Sequence, residues 1–188
     1  MGLALANCQE KGVLVPSFVV GSDLLQGRPE KELAFAIARQ LTFIRPEHYL
    51  RLAVPTVSEL KVVFLAALKL AQPNMPVKGD LAVIGQYVDA MRRTVAPAVL
   101  EQLALVVQRF MQTKAEADIN KWTQAVELSA HRAGFVLCND LETAAKMVST
   151  EPVPVGGMSA KDKIRELVLY SISEEYFSVR QHLGLNIG

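Results

Sequence analysis

Cysteine is scarce in this chain. Its two cysteines, Cys8 and Cys138, lie far apart and form no C-x-x-C pair, which excludes a disulfide framework and a zinc ribbon and leaves two thiols acting as small apolar residues. An excess of one charge sign is also lacking. The formal net charge is +1 and the longest cationic cluster is Arg92-Arg93, so no stripe exists for a phosphate backbone and nucleic acid is not an expected partner. No apolar run approaches the ~20 residues that span a bilayer, because charged or turn residues interrupt each one, and membrane insertion is not expected. The opening "MGLALANCQEKG" has neither the basic start nor the apolar core of a secretory signal, and its Met-Gly lacks the Ser/Thr of a myristoylation site, so a cytoplasmic location is expected. G-x-S-x-G, P-loop and G-x-G-x-x-G motifs do not occur either, which removes three common routes to nucleophilic or nucleotide chemistry.

What is present is apolar. At 188 residues, with 51% hydrophobic and 21% charged residues, the chain has enough material for one ordered domain, or one with a helical appendage. The start has β character: Leu3 to Asn7 and Val13 to Gly21 read as short strands joined by a tight turn at Lys11-Gly12, with Pro16 confining its strand to an edge or a bend. Ser22 or Asp23 is placed to cap a short turn through Gln26, and Pro29 opens a helix with Glu30 and Glu32 at its positive end. In that helix Leu33, Ile37, Leu41 and Ile44 follow a three-to-four spacing, with Ala34 and Ala38 beside them allowing close approach of a neighbouring element, and Arg45-Pro46 predicts the stop. Further helices are expected over Glu47 to Leu52, Val57 to Ala71, Asp80 to Val95, Pro97 to Thr113, Glu116 to Cys138, Leu141 to Ser149, Ala160 to Ser171 and Glu174 to Leu183. Thr56-x-x-Glu59 reads as a capping box, and "EPVPVGGMS" (Glu151 to Ser159) as a linker.

The stretch "ELAFAIARQLTF" (Glu32 to Phe43) has the look of a zinc-protease helix without its histidines. A catalytic H-E-x-x-H helix places two imidazoles four residues apart on one face, with the glutamate activating a metal-bound water. The wider segment "SFVVGSDLLQGRPEKELAFAIARQLTFI" resembles the corresponding region of small gluzincin metallopeptidases, relatives of the prenyl-protein protease and the bacterial heat-shock membrane protease. There an acidic E-L-A-x-x-x-A turn precedes the metal helix. Anchoring on Glu32-Leu33-Ala34 and Ala38 sets Arg39, Gln40 and Phe43 at the histidine, glutamate and histidine positions; the alternative frame on "KELAF" also offers no ligands. Downstream, "WTQAVELSAHRAGFVLCNDLETAAKMV" is similar to the family helix E-x-x-x-D, in which the glutamate is the third zinc ligand. Glu127 stands at that glutamate and His131 at the aspartate, with Ala133-Gly134 closing the match.

The departures carry the functional expectation. Arg39 is permanently cationic, Phe43 has no donor atom, and Gln40 is too weak a base to deprotonate a water, so hydrolysis by this route is not expected, nor is a metal or other cofactor. A buried Glu127 needs a counter-charge, and the alignment predicts a bidentate pair with Arg39 in place of zinc. An alternative is a metal-dependent hydrolase whose site has moved to Glu127, His131 and His48. A third reading is a structural subunit of an oligomeric assembly. Asp140-Leu141-Glu142 and Ser173-Glu174-Glu175 read as helix caps rather than paired catalytic carboxylates, and Ser129 and His131 diverge on their helix. Trp122, Tyr170, Tyr176 and Phe177 read as core anchors, with Tyr176-Phe177 also a possible docking surface.

The expected fold is α+β, mostly α: a small N-terminal β element packed on a helical, zincin-like body. Residues 1–150 are assigned to an inactive metallopeptidase-like domain, 151–159 to a linker and 160–188 to a C-terminal helical hairpin packing on the same domain. The resemblance implies a non-catalytic scaffold or interaction domain of the kind found at the ends of bacterial tetratricopeptide-repeat proteins. Its expected partner is a protein or a neighbouring repeat domain.

Overall fold

A computed structural model describes residues 3–22, 26–54, 56–113, 116–151 and 155–185. The fold is α+β and mostly helical. Strands β1 (Leu3–Glu10) and β2 (Val13–Val20) form an antiparallel ribbon in the register Leu3↔Val20 to Glu10↔Val13. Lys11 and Gly12 turn the chain with φ of +49° and +82°, the left-handed pair that a two-residue hairpin requires. Pro16 is tolerated because both strands of a two-stranded ribbon are edges.

Two compact units follow from the packing: Met1–Ala53 with Lys121–Gly188, and Val54–Asn120. The sequence reading placed its boundaries elsewhere, at 150 and 160, and gave no sign of a separate unit in the middle of the chain. In the first unit lie β1 and β2, α1 (Glu30–Leu41), a 3-10 turn (Thr42–Ile44), α2 (Pro46–Ala53), α6 (Ile119–Cys138, all but its first two residues), α7 (Leu141–Ser149), α8 (Ala160–Ser171) and α9 (Glu174–His182). The second unit holds α3 (Val57–Ala71), α4 (Leu81–Thr94) and α5 (Pro97–Gln112).

The helix ends follow the local chemistry. Thr56 Oγ1 accepts from the Glu59 N–H, yet the Glu59 carboxylate accepts from Tyr87 Oη at 2.8 Å, so the side-chain half of the capping box is spent on α4. Asp80, Asp140, Ser159 and Ser173 cap α4, α7, α8 and α9 through backbone N–H groups. Asn139 ends α6 with φ of +48°, and its Oδ1 accepts from Tyr176 Oη on α9, tying that turn to the C-terminal hairpin. Gln26 N–H reaches the Ser22 carbonyl as a helical turn would, while Asp23 lies outside the described residues.

The second unit has its own core of Ala66, Ile84 and Val88, with Phe64 edge-on to Phe110. The main core of the first unit joins α1, α6, α7, α8 and α9 through Phe35, Phe135, Val148, Leu167, Tyr170 and Tyr176. A smaller cluster sets Phe43 against Val126, Ala130, Trp122 and Leu52. Here the expected face of α1 is half right: Ala38 is buried and Ala34 packs on the main core, as close approach requires, and Leu33 and Ile44 are half-buried, but Ile37 and Leu41 are not covered. Ile37 is 38% and Leu41 48% exposed, whereas Phe35, Ala38, Gln40 and Phe43 are buried. Phe35 and Ala38 point to α6 because Gly134 lets the helices close up: a Cβ at Gly134 would stand 2.8 Å from the Phe35 ring. The small-residue side of α1 is where the sequence puts it, while Phe35, Gln40 and Phe43 take the burial expected of Ile37 and Leu41.

Candidate functional site

Five segments of the first unit converge on one buried ionic cluster. Arg39 from the last turn of α1 sends Nη2 to Glu127 Oε2 of α6 at 3.2 Å, and its Nε lies 2.8 Å from Oε1 of Glu151, just past the end of α7. The Nε–H is not directed along that second contact, which is therefore ionic rather than a formed hydrogen bond. Arg51 of α2 holds the other oxygen of Glu127, Nη2 to Oε1, at 2.8 Å. Lys163, in the first turn of α8, donates to Glu151 Oε2 at 2.9 Å, and His131 Nε2 lies 2.8 Å from Glu151 Oε1. The phenyl ring of Phe43 sits 5.5 Å from the Arg39 guanidinium carbon, and Phe35 stacks on the His131 ring.

Burial makes these contacts matter. The side chains of Glu127, Arg51, Lys163 and Glu151 are 5%, 9%, 5% and 11% exposed and His131 is fully enclosed; Arg39, at 22%, is the most exposed member. Burial alone would raise the Glu151 pKa, but the hydrogen bond with His131, the charge of Arg39 and the hydrogen bond from Lys163 overcome it and hold the group down to about 2. Both carboxylates are thus gripped by cations on two sides.

No family model, curated protein or solved structure matches this chain. The site is therefore read from its own geometry. Positions 39, 43 and 127, set by the resemblance at three zinc ligands, do come together in space. The pair Arg39–Glu127 makes one contact rather than a two-pronged fork, because Arg39 divides its guanidinium between two carboxylates and Glu127 divides its oxygens between two arginines. Gln40 is buried on the same helix. Phe43 lies in the 3-10 turn, so positions 39 and 43 do not share one continuous α-helix as the expected stop at Arg45 required.

Arg51, Glu151 and Lys163 escaped the sequence reading. Glu151 was hidden at the head of the proline-rich stretch read as a linker, of which residues 152–154 lie outside the described residues. Lys163 did carry a signal: with Leu167 and Tyr170 it continues the buried stripe of α8, a core position filled by a charge. Arg51 offers no comparable sign.

The relocated metal site does not assemble. His48 Nδ1 is engaged with the Thr42 carbonyl at 3.1 Å, and among the described residues no three His, Cys, Asp or Glu side chains are grouped so as to hold a metal ion. Ser129 Oγ bonds back to the Ala125 carbonyl, away from His131. Tyr170 and Tyr176 are core residues, and Trp122 packs on the Phe43 cluster, while Phe177 is 40% exposed. An open groove of about 510 Å³ runs between α1, α6 and α9, with Leu41, Leu137, Val179 and Leu183 on its walls and Arg132 and Tyr170 also lining it. Among the described residues no helix is long and apolar enough to cross a membrane.

Proposed function

We propose that this chain is a non-catalytic protein-interaction domain on a metallopeptidase-like framework, with a guanidinium standing where such enzymes carry their metal. The observation that carries the reading is the position of Arg39. It reaches Glu127 from the first similar segment to the second, with the Phe43 ring against it, and it bridges to Glu151 as well. A fixed cation between two carboxylates neutralises them as a metal would but offers no open coordination position and no ionisable water, so the group can hold helices together without hydrolysing a bond. The interaction role is supported by the exposed apolar side chains of Leu41, Leu137, Val179 and Leu183 along the groove.

The test is reconstruction. Arg39→His with Gln40→Glu and Phe43→His restores the H-E-x-x-H spacing opposite Glu127. The native chain is expected to take up no zinc after dialysis against the ion and to cleave no generic peptide substrate. The rebuilt chain, shown folded by circular dichroism, is expected to hold one equivalent. A folded variant that binds no zinc removes the framework reading, and a native chain holding one equivalent removes the non-catalytic one.

A further inference from the structure

The buried cluster is not neutral. Arg39, Arg51 and Lys163 bring three permanent positive charges, and Glu127 and Glu151 bring two negative ones; among the described residues no other carboxylate pairs with any of the three cations. One positive charge is left over even with His131 neutral. A network that served only to lock helices together would gain by being balanced, because an uncompensated charge in a water-poor setting is costly. Hydrogen bonding is unfinished in the same place. Arg51 Nε is buried with no hydrogen-bond partner, and the Nε–H of Arg39 is not directed onto Glu151. Buried polar atoms are ordinarily satisfied, so orphaned donors clustered around a charge excess point to a ligand that supplies both charge and acceptor oxygens.

We propose that this cluster binds one carboxylate group, with Arg39 as the cation that receives it. The charge fits, since one carboxylate offsets the excess of the three fixed cations over Glu127 and Glu151. The shape fits too, because a planar carboxylate matches a guanidinium edge better than a spherical halide does. Access fits as well: Arg39 is the most exposed member, and Nη1 of its guanidinium is engaged by neither Glu127 nor Glu151. The carboxylate can belong to a small free acid or to an acidic side chain of a polypeptide. The proposal stands on charge and hydrogen-bond accounting and does not need the metallopeptidase resemblance.

The experiment compares sodium acetate, a capped Gly-Glu-Gly peptide and sodium chloride at matched ionic strength, read by the thermal transition of the full chain. Acetate at ten times its dissociation constant is expected to raise Tm by about 3–6 °C over chloride. That increment should vanish in Arg39→Met and persist in Arg45→Gln, whose target is a surface arginine. Protection by acetate alone identifies a small free acid as the source of the group, and protection by the peptide as well identifies a side chain. If Arg39→Met does not fold, 13C-acetate on the native protein decides, through nuclear Overhauser contacts from its methyl group to the Arg39 δ protons. Equal effects of acetate, peptide and chloride, or an acetate increment that survives Arg39→Met, overturn the proposal.

Discussion

Replacing Glu127 by glutamine is the sharpest way to expose the energetics of the cluster. The carboxylate is 5% exposed and meets two guanidinium groups, at 3.2 Å from Arg39 and 2.8 Å from Arg51. At an effective dielectric constant of ~20 each contact amounts to about 5–6 kcal/mol of Coulomb attraction, most of it offset by the desolvation of the ions. Removing the anion deletes both attractions, leaves two arginines facing each other and adds to the existing positive excess. Breaking a buried pair from one side costs about 3–5 kcal/mol, which at a urea slope of ~2 kcal/mol per molar lowers the midpoint by about 2 M. Trp122 is the single tryptophan of the chain and packs in the Phe43 cluster a little over one helical turn from Glu127, so its fluorescence reports unfolding of this unit. Arg39→Met is the opposing control: Glu127 keeps Arg51, Glu151 keeps Lys163 and His131, and the positive excess disappears. Its midpoint is expected within the equivalent of about 1 kcal/mol of the native one. A Glu127→Gln midpoint equally close to native, or an Arg39→Met loss as large as that of Glu127→Gln, would refute the reasoning.

Acid should unlock the cluster from the other carboxylate. The Glu151 pKa is depressed to about 2 from the usual 4.5, so its contribution is complete above pH ~5 and drains away as pH falls toward 2. The amount at stake is about 3 kcal/mol, and Glu151→Gln should flatten the stability curve in that window, as read by urea titrations at stepped pH. Asp140 is also held to about 2, first by the hydrogen bond from Lys31, but Lys31 is 58% exposed and Lys31→Met should barely move the same curve. Two glycines separate close packing from helix propensity: Gly134→Ala drives a methyl into the Phe35 ring and should cost about 1–3 kcal/mol, whereas a methyl at Gly85 of α4 meets nothing within 4 Å and should gain about 0.5–1 kcal/mol in thermal melts.

Helices were legible in the sequence because their punctuation is local. Asp140, Ser159 and Ser173 cap where they stand, and Pro97 starts α5 at its first turn. The face of α1 was half legible: Ala34 and Ala38 mark the close-approach side, but the choice of Phe35 over Ile37 and Leu41 for burial is made by Gly134, almost a hundred positions away. The cluster was half legible for the same reason. Arg39 and Glu127 stand out through the metallopeptidase-like spacing and Lys163 only as a charge in the buried stripe of α8, while Arg51 and Glu151 follow no local pattern and are partners solely in three dimensions. The central unit was invisible because its helices carry the same start and stop signals as the rest.

A choice between a purely structural cluster and one that serves a ligand turns on what apolar packing would achieve at the same place. Methionine or leucine at the positions of a buried ion pair is often as stable as the pair or more so, so stability alone does not favour five charged side chains and an enclosed histidine. What charges supply and methylenes do not is direction. Glu127 fixes α1 and α2 to α6, and Glu151 fixes α1, α6 and α8 to the end of α7, each through oxygens with defined partners. Arg39 takes part in this by tying α1 to both carboxylates, but its charge is not needed to pair them. Without Arg39, Glu127 keeps Arg51 and Glu151 keeps Lys163, so one positive charge exceeds what the two carboxylates balance. Arg39 is also the member closest to solvent. Surplus charge at the open end of an otherwise paired, buried network is the arrangement expected of a group that receives an anion, and unexpected of one that merely fastens a core.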